Sequence, residues 1–206
     1  MIRTVAGQLL RHGRVGLLPG TYNPPTRAHL ALAETAQCRF NLDQIVQVVP
    51  HSLPHKQIAR PTVEDRLEWI AELARTRRGW AACMCQGGLV VDIVDAWRQE
   101  VGDTCELFVI AGRDAAERYA SWDYGDREPF GDQLERFTLL VGSRGGAYRV
   151  APEHTGRILP FEIAPAHDAT SSLMVRSAIA RGADWRHLVP VEVQDQVAAA
   201  YAGGDT

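Results

Sequence analysis

Residues 17–30 read LLPGTYNPPTRAHL. An apolar run ends at Gly20, and a periodic helix-like stretch starts near Thr26. Gly20 has no side chain to keep a phosphate away from the backbone. Thr26 and His29 are three residues apart, so both fall on one face of the first helical turn. The free N–H groups and dipole of that turn favour an anion. A proline-stiffened turn with an incidental histidine explains each residue alone. Strand, glycine, threonine, histidine and helix start together point to phosphate handling.

A second group lies at 170–176, TSSLMVR. Ser171 and Ser172 stand where a helix would begin, offering hydroxyls and backbone N–H groups to a phosphate. Arg176 is one turn further on. A serine cap beside a surface arginine is ordinary by itself; its weight comes from the first group.

Something must bring these groups together. RVGLLPG, QIVQVVP, GWAACMC, CELFVIAG, RFTLLVGS and RILPFEI read as short buried strands. RAHLALAETAQCRF and TVEDRLEWIAELARTR read as amphipathic helices, the second opened by Thr62 with Asp65 three positions on. GLVVDIVDAWRQEV is assigned as helix, although its Val and Ile residues also suit a strand. A helix from Ser171 or Ser172 to Arg181 stops at Gly182, and PVEVQDQVAAAYA forms a last helix with Pro190 in its first turn. The alternation predicts an α/β fold: a doubly wound, mostly parallel sheet flanked by helices. In such a sheet, ligands sit at the carboxyl ends of strands. SWDYGDREPFGDQ, the one long polar stretch, is expected to be a mobile surface loop.

A chain of 206 residues suits a single domain, 1–206, with the helices from about 170 completing the phosphate site. Net charge is −3 and no basic tract occurs, which argues against a nucleic-acid polymer as partner. No apolar run reaches membrane-spanning length and no secretory segment is evident, so a cytoplasmic location is expected. Of four cysteines, Cys83 and Cys85 share a strand face without a second pair nearby, and buried thiols are expected rather than a metal site.

The segment Gly20-Thr21-Tyr22-Asn23-Pro24-Pro25-Thr26-Arg27-Ala28-His29 resembles the G-x-F-x-P-x-H-x-G-H signature of the HxGH nucleotidyltransferase superfamily. Thr26 stands for the first His and Ala28 for the Gly. TSSLMVR is similar to that superfamily's I-S-S-T-x-I-R element. VVPHSLPHK (Lys56), the helix carrying Arg66, FVIAGRDAAERYASW (Gly112, Arg113, Asp114, Trp122), LLVGSR (Ser143, Arg144) and WRHLVPVEVQDQV resemble segments of the bacterial nicotinate mononucleotide adenylyltransferases. The resemblance covers nearly all of the chain from residue 14. It implies a Rossmann-like nucleotidyltransferase fold and transfer of AMP from ATP to nicotinate mononucleotide, in the biosynthesis of NAD. It further implies Thr26, His29, Lys56 and Arg176 as catalytic residues, and Gly20, Thr21, Tyr22, Ser171 and Ser172 as ATP-binding residues. Asn23, Gly88, Arg113, Asp114 and Trp122 would be substrate-binding. Mg²⁺ would be carried by the ATP phosphates, with no metal-ligating residues in the chain. The partners would be ATP and a mononucleotide, with no membrane; whether copies associate as a homo-oligomer stays open.

One departure stands out. The family's G-P-S-Y-T-x-D-T segment corresponds to QGGLVVDIV, where Gly88, Leu89 and Val90 replace Ser, Tyr and Thr and only Asp92 is retained. Arg113 also replaces an Ala. A site that loses polar groups loses discrimination. Two alternatives therefore stand: the same chemistry on another phosphorylated acceptor with ATP or CTP as donor, and a non-catalytic nucleotide-binding module.

Overall fold

The computed structural model describes residues 1–53, 58, 60–143, 148–164 and 170–202. Seven strands form one sheet: β1 (Ile2–Ala6), β2 (Gly13–Pro19), β3 (Gln44–Pro50), β4 (Trp80–Cys85), β5 (Cys105–Gly112), β6 (Thr138–Ser143) and β7 (Ile158–Glu162). Their spatial order is β1-β4-β3-β2-β5-β6-β7, and only the β1–β4 pair is antiparallel. The six parallel strands thus have the doubly wound order in which the chain leaves the middle in both directions.

Between strands run α1 (Arg27–Arg39), α2 (Val63–Arg75), α3 (Val90–Val101), α4 (Arg113–Ser121) and the short α5 (Phe130–Gln133). After β7 come α6 (Ser172–Ala180) and α7 (Gln194–Ala202). Successive strand residues point to opposite faces, and this splits the core in two. Ile45 and Val49 of β3 pack with Leu18, Phe108 and Ile110 under α1, α2, α6 and α7. Val46 and Val48 pack with Leu17, Val109 and Val141 under α3, α4 and α5.

Most strands and helices lie where the apolar pattern puts them. The ambiguous stretch is α3, with Val90, Val91, Ile93, Val94 and Trp97 buried along one stripe. At the carboxyl end, a 3₁₀ turn at Val191–Val193 follows Pro190, so α7 begins later than expected. β1 is not among the strands that the apolar pattern predicts. It pairs with β4 and covers an edge that would otherwise be open. The polar stretch after α4 is largely exposed as expected. Its two ends are nevertheless held, by Phe130 and Gln133 buried in α5 and by Tyr124 Oη donating to Tyr119 O at 3.1 Å.

Cys83 and Cys85 are buried, unbridged thiols against α3. Burial pushes the Cys83 thiol up to about 12. Among the described residues no three His, Cys, Asp or Glu side chains gather as a metal site, and no helix is long and apolar enough to cross a membrane.

The cap foreseen for α2 is complete. Asp65 N donates to Thr62 Oγ1 at 3.1 Å, and Thr62 N donates to Asp65 Oδ2 at 2.8 Å. Thr62→Ala should cost about 1 kcal/mol and lower the thermal midpoint by roughly 2–4 °C. Calorimetric melting of the two proteins checks this; an unchanged midpoint would mean that solvent serves those N–H groups equally well.

Candidate active site

β2 and β5 are neighbours whose following connections diverge to opposite sides of the sheet. At their carboxyl ends opens a cleft of about 540 Å³, within the size range of small-molecule sites. The β2–α1 junction contributes Gly20, Thr21, Thr26 and His29; the β5–α4 junction contributes Gly112, Arg113 and Asp114. Gly88, Leu89 and Val90 enter from the β4–α3 junction, and Trp122 and Tyr124 from beyond α4. Thr170, Ser171 and Ser172 complete the lining at the start of α6.

Ten of the residues singled out in the sequence therefore line one cleft: Gly20, Thr21, Thr26, His29, Gly88, Arg113, Asp114, Trp122, Ser171 and Ser172. Residues 29 and 171, far apart in the chain, meet because the sheet order places α1 and α6 over the same strand ends.

His29 is fixed by the turn that precedes it. Thr26 is the N-cap of α1, with extended backbone, and is fully buried. Its backbone N–H donates to His29 Nδ1 at 3.1 Å, and its Oγ1 lies 2.8 Å from the same nitrogen. A backbone N–H can only donate, so Nδ1 must present a lone pair. The ring proton of the neutral imidazole is thereby assigned to Nε2. The Tyr22 ring supports the imidazole, with centroids 5.3 Å apart.

Tyr22, expected from the resemblance to bind ATP, is not among the residues that line the cleft. Its side chain is 1% exposed, and Oη donates to Leu18 O at 2.7 Å. Burial raises its pKa well above the usual phenol range. The ring lies beneath Gly20, where an added Cβ would come within 2.8 Å of it. Tyr22 thus supports the turn from below, its apolar ring buried in the core.

Asn23 and Arg176 also stand beside the cleft rather than in its lining. Arg176 Nη1 donates to Asn23 O at 2.6 Å, and Asn23 Oδ1 accepts from Tyr201 Oη of α7. Ser172 Oγ donates to Pro24 O at 2.8 Å. Arg66 Nη1 donates to Thr21 O at 3.1 Å, while its Nε holds Thr62 O at 3.1 Å. The carbonyls of Thr21, Asn23 and Pro24 are therefore taken by donors from α2 and α6, and α7 holds the Asn23 side chain. Lys56 and Arg144 lie outside the described residues.

Arg66 and Tyr201 are the working residues that the sequence reading did not assign. For Arg66 a signal was present. It falls on the buried stripe of α2 with Trp69, Ile70 and Leu73, where a charge is costly unless it has partners. It is 3% exposed, and burial lowers its pKa. Tyr201 stacks on Trp69 with centroids 6.4 Å apart, a contact no local pattern announces. Tyr119 lines the cleft as well, its phenol pushed up to about 12 by burial.

The model of the cytidylyltransferase-like family matches residues 17–178. Among curated proteins, a probable nicotinate-nucleotide adenylyltransferase of Dictyoglomus turgidum is 26% identical over 198 residues, covering 89% of this chain and 92% of the relative. A protein of the same description from a Synechococcus strain is 28% identical over 197 residues, covering 89% and 91%. Among solved structures, the Plasmodium falciparum nicotinic acid mononucleotide adenylyltransferase complexed with NaAD superposes with a TM-score of 0.75 at 12% identity, covering 94% of this chain and 99% of that one. At that identity the likeness is one of fold.

Arg66→Met keeps the length of the side chain and removes its donors to the turn. Hydrogen bonds from charged groups are worth about 1.5–3 kcal/mol, so the variant should unfold at a lower temperature while its circular dichroism spectrum at 25 °C stays native. Calorimetric melting checks this. A wild-type midpoint in the variant would show that the turn keeps its shape without Arg66.

Proposed function

The chain belongs to the cytidylyltransferase-like family, and from that premise we propose that it transfers AMP from ATP to nicotinate mononucleotide, forming nicotinate adenine dinucleotide and pyrophosphate. The observation that carries this reading is the meeting of Thr26 and His29 with Ser171 and Ser172 around one cleft at the switch point of the sheet. The adenylyltransferase relatives support the choice of donor and acceptor. The activity belongs to one domain spanning the whole chain. The unbridged thiols fit a reducing, cytoplasmic setting.

A phosphate oxygen of the acceptor attacks the α-phosphorus of ATP. One P–O bond forms, the bond to the β-phosphate bridge breaks, and pyrophosphate leaves. The attacking phosphate is already ionised, so no strong base is needed; positioning and charge neutralisation are. His29 Nε2–H donates to an α-phosphate oxygen as charge builds, with Thr26 fixing the ring. The first N–H groups of α1 and α6 face the phosphates, with Ser171 and Ser172 beside them. Lys56 would bring positive charge to the triphosphate, and Arg176 adds to that field from beside the cleft while it holds the Asn23 carbonyl. Asp114 is the only carboxylate among the described lining residues. With that donor set a Mg²⁺ ion would be held chiefly by the phosphates of ATP and by water, and would supply charge neutralisation. At the acceptor end, Leu89 and Val90 offer no polar side-chain group, so the nicotinate carboxylate is read by backbone N–H groups near Gly88 and Trp122, with Arg113 in reach of the same space.

Leu89 and Val90 also keep a second reading in view, the same transfer to a different phosphorylated acceptor. Pyrophosphate release with ATP or CTP against a panel of phosphorylated acceptors separates the two. Nicotinate mononucleotide with ATP should be the best pair, and no release with any pair would leave only a binding module. His29→Ala should reduce turnover roughly 100- to 1000-fold, the usual loss for one donor to developing charge. His29→Asn, which restores an acceptor for the Thr26 N–H, should regain stability but not rate. Near-native turnover in a folded His29→Ala protein would leave His29 a purely structural role.

A further inference from the structure

Asp92 is the third residue of α3, behind the cleft wall formed by Gly88, Leu89 and Val90. One carboxylate oxygen, Oδ2, accepts the Leu89 N–H at 3.1 Å. The other, Oδ1, is paired with Arg127 Nη1. Gly87 makes this packing feasible, since a Cβ there would lie 2.4 Å from Asp92 Cβ. Arg127 belongs to the polar segment whose Trp122 and Tyr124 form another wall of the cleft. Its backbone N–H donates to Tyr124 O at 3.2 Å, which couples its position to that of the aromatic wall.

The two partners are unequally exposed. The Asp92 side chain is 20% exposed and the Arg127 side chain 50%. Without Arg127, a partly enclosed negative charge would stand behind the acceptor wall. An acceptor with an ionised phosphate and a ring carboxylate would meet like charge there, whereas one with a neutral ring substituent would be less affected. Because Leu89 and Val90 carry no polar group, the charge balance of this wall has a larger say in acceptor choice.

We infer that Arg127 is a specificity residue: by neutralising Asp92 it lets the acceptor end of the cleft favour an anionic ring over a neutral one. This rests on the reading of the acceptor as a nicotinate nucleotide. Arg127 acts through Asp92 and need not touch the substrate. The pair is half open to solvent, so the acid preference weakens as ionic strength rises.

The test measures kcat/KM and binding affinity for nicotinate and nicotinamide mononucleotides at saturating ATP. Wild type is compared with Arg127→Gln, Arg127→Lys and the double variant Asp92→Asn/Arg127→Gln. In Arg127→Gln the acid-to-amide ratio should fall about three- to fivefold, the scale of one partly exposed ion pair. The KM for ATP and the thermal midpoint should stay at their wild-type values. Lysine should restore the ratio. So should the double variant, in which the introduced asparagine still accepts the Leu89 N–H and the uncompensated charge is gone. An unchanged ratio in Arg127→Gln, an equal loss with both nucleotides, or a further fall in the double variant would overturn the inference and leave the substrate reading intact. Wild-type protein that binds neither nucleotide, yet releases pyrophosphate with another acceptor, would refute the substrate reading and remove the inference with it.

Discussion

The hydrogen bond from the Thr26 backbone N–H to His29 Nδ1 is the constraint on which the site depends. It uses one of the four N–H groups that a helix start leaves without an internal partner, and it spends that donor on orienting a ring. In a capping box a Glu or Gln side chain takes this place; here an imidazole does, which puts the ring proton on its second nitrogen in a residue that lines the cleft. The geometry holds only while the turn from Gly20 to Thr26 keeps its shape. That shape is imposed from three sides. Arg66, Arg176 and Ser172 take the carbonyls of Thr21, Asn23 and Pro24, Tyr201 holds the Asn23 side chain, and the Tyr22 ring fills the space under Gly20. Donors drawn to the carbonyl side leave the cleft side to N–H groups and His29, the polarity an anionic ligand needs.

The doubly wound order explains why distant segments can cooperate in this way. The six parallel strands end at the same edge of the sheet, so the residues after β2, β4 and β5 become neighbours whatever their separation in the chain. α6 and α7 return to the face already covered by α1 and α2, with Val175, Val193 and Val197 in their common core. Packing of those helices and placement of Ser172, Arg176 and Tyr201 are therefore one event. The second face is organised by charge as well as by apolar contact. Arg136 pairs with Asp95 and Glu128, and Arg98 Nη2 donates to Arg136 O at 3.0 Å, so α3 and the segment before β6 are fastened together along their length.

Much of this was legible in the sequence because it is local. β3 and β5 coincide with QIVQVVP and CELFVIAG, since buried parallel strands carry near-continuous apolar runs. The Thr62 and Ser171 caps follow from side chains that reach only three residues ahead. What the sequence hid is non-local. β1 is a five-residue edge strand with one buried residue, Ile2, too short and too polar to show a period. Tyr22, Asn23 and Arg176 belong to the motifs, but whether such a side chain faces ligand or supports the turn depends on partners from other elements. Arg66 is the instructive middle case: its position on an apolar stripe marks it as paired, yet the partner, the Thr21 carbonyl, is visible only in three dimensions.

The most direct measurement is the tautomer of His29 in solution. The protein contains seven histidines, and nitrogen NMR of isotope-labelled imidazoles, compared with a His29→Gln variant, isolates the signal of this one. The account predicts a neutral ring at pH 7 with the proton on Nε2 and an unprotonated, hydrogen-bond-accepting Nδ1. It also predicts that addition of ATP perturbs the Nε2 resonance more than that of Nδ1. A ring protonated on Nδ1, or one exchanging freely between tautomers, would contradict the claim that the Thr26 turn aims a donor at the reacting phosphate.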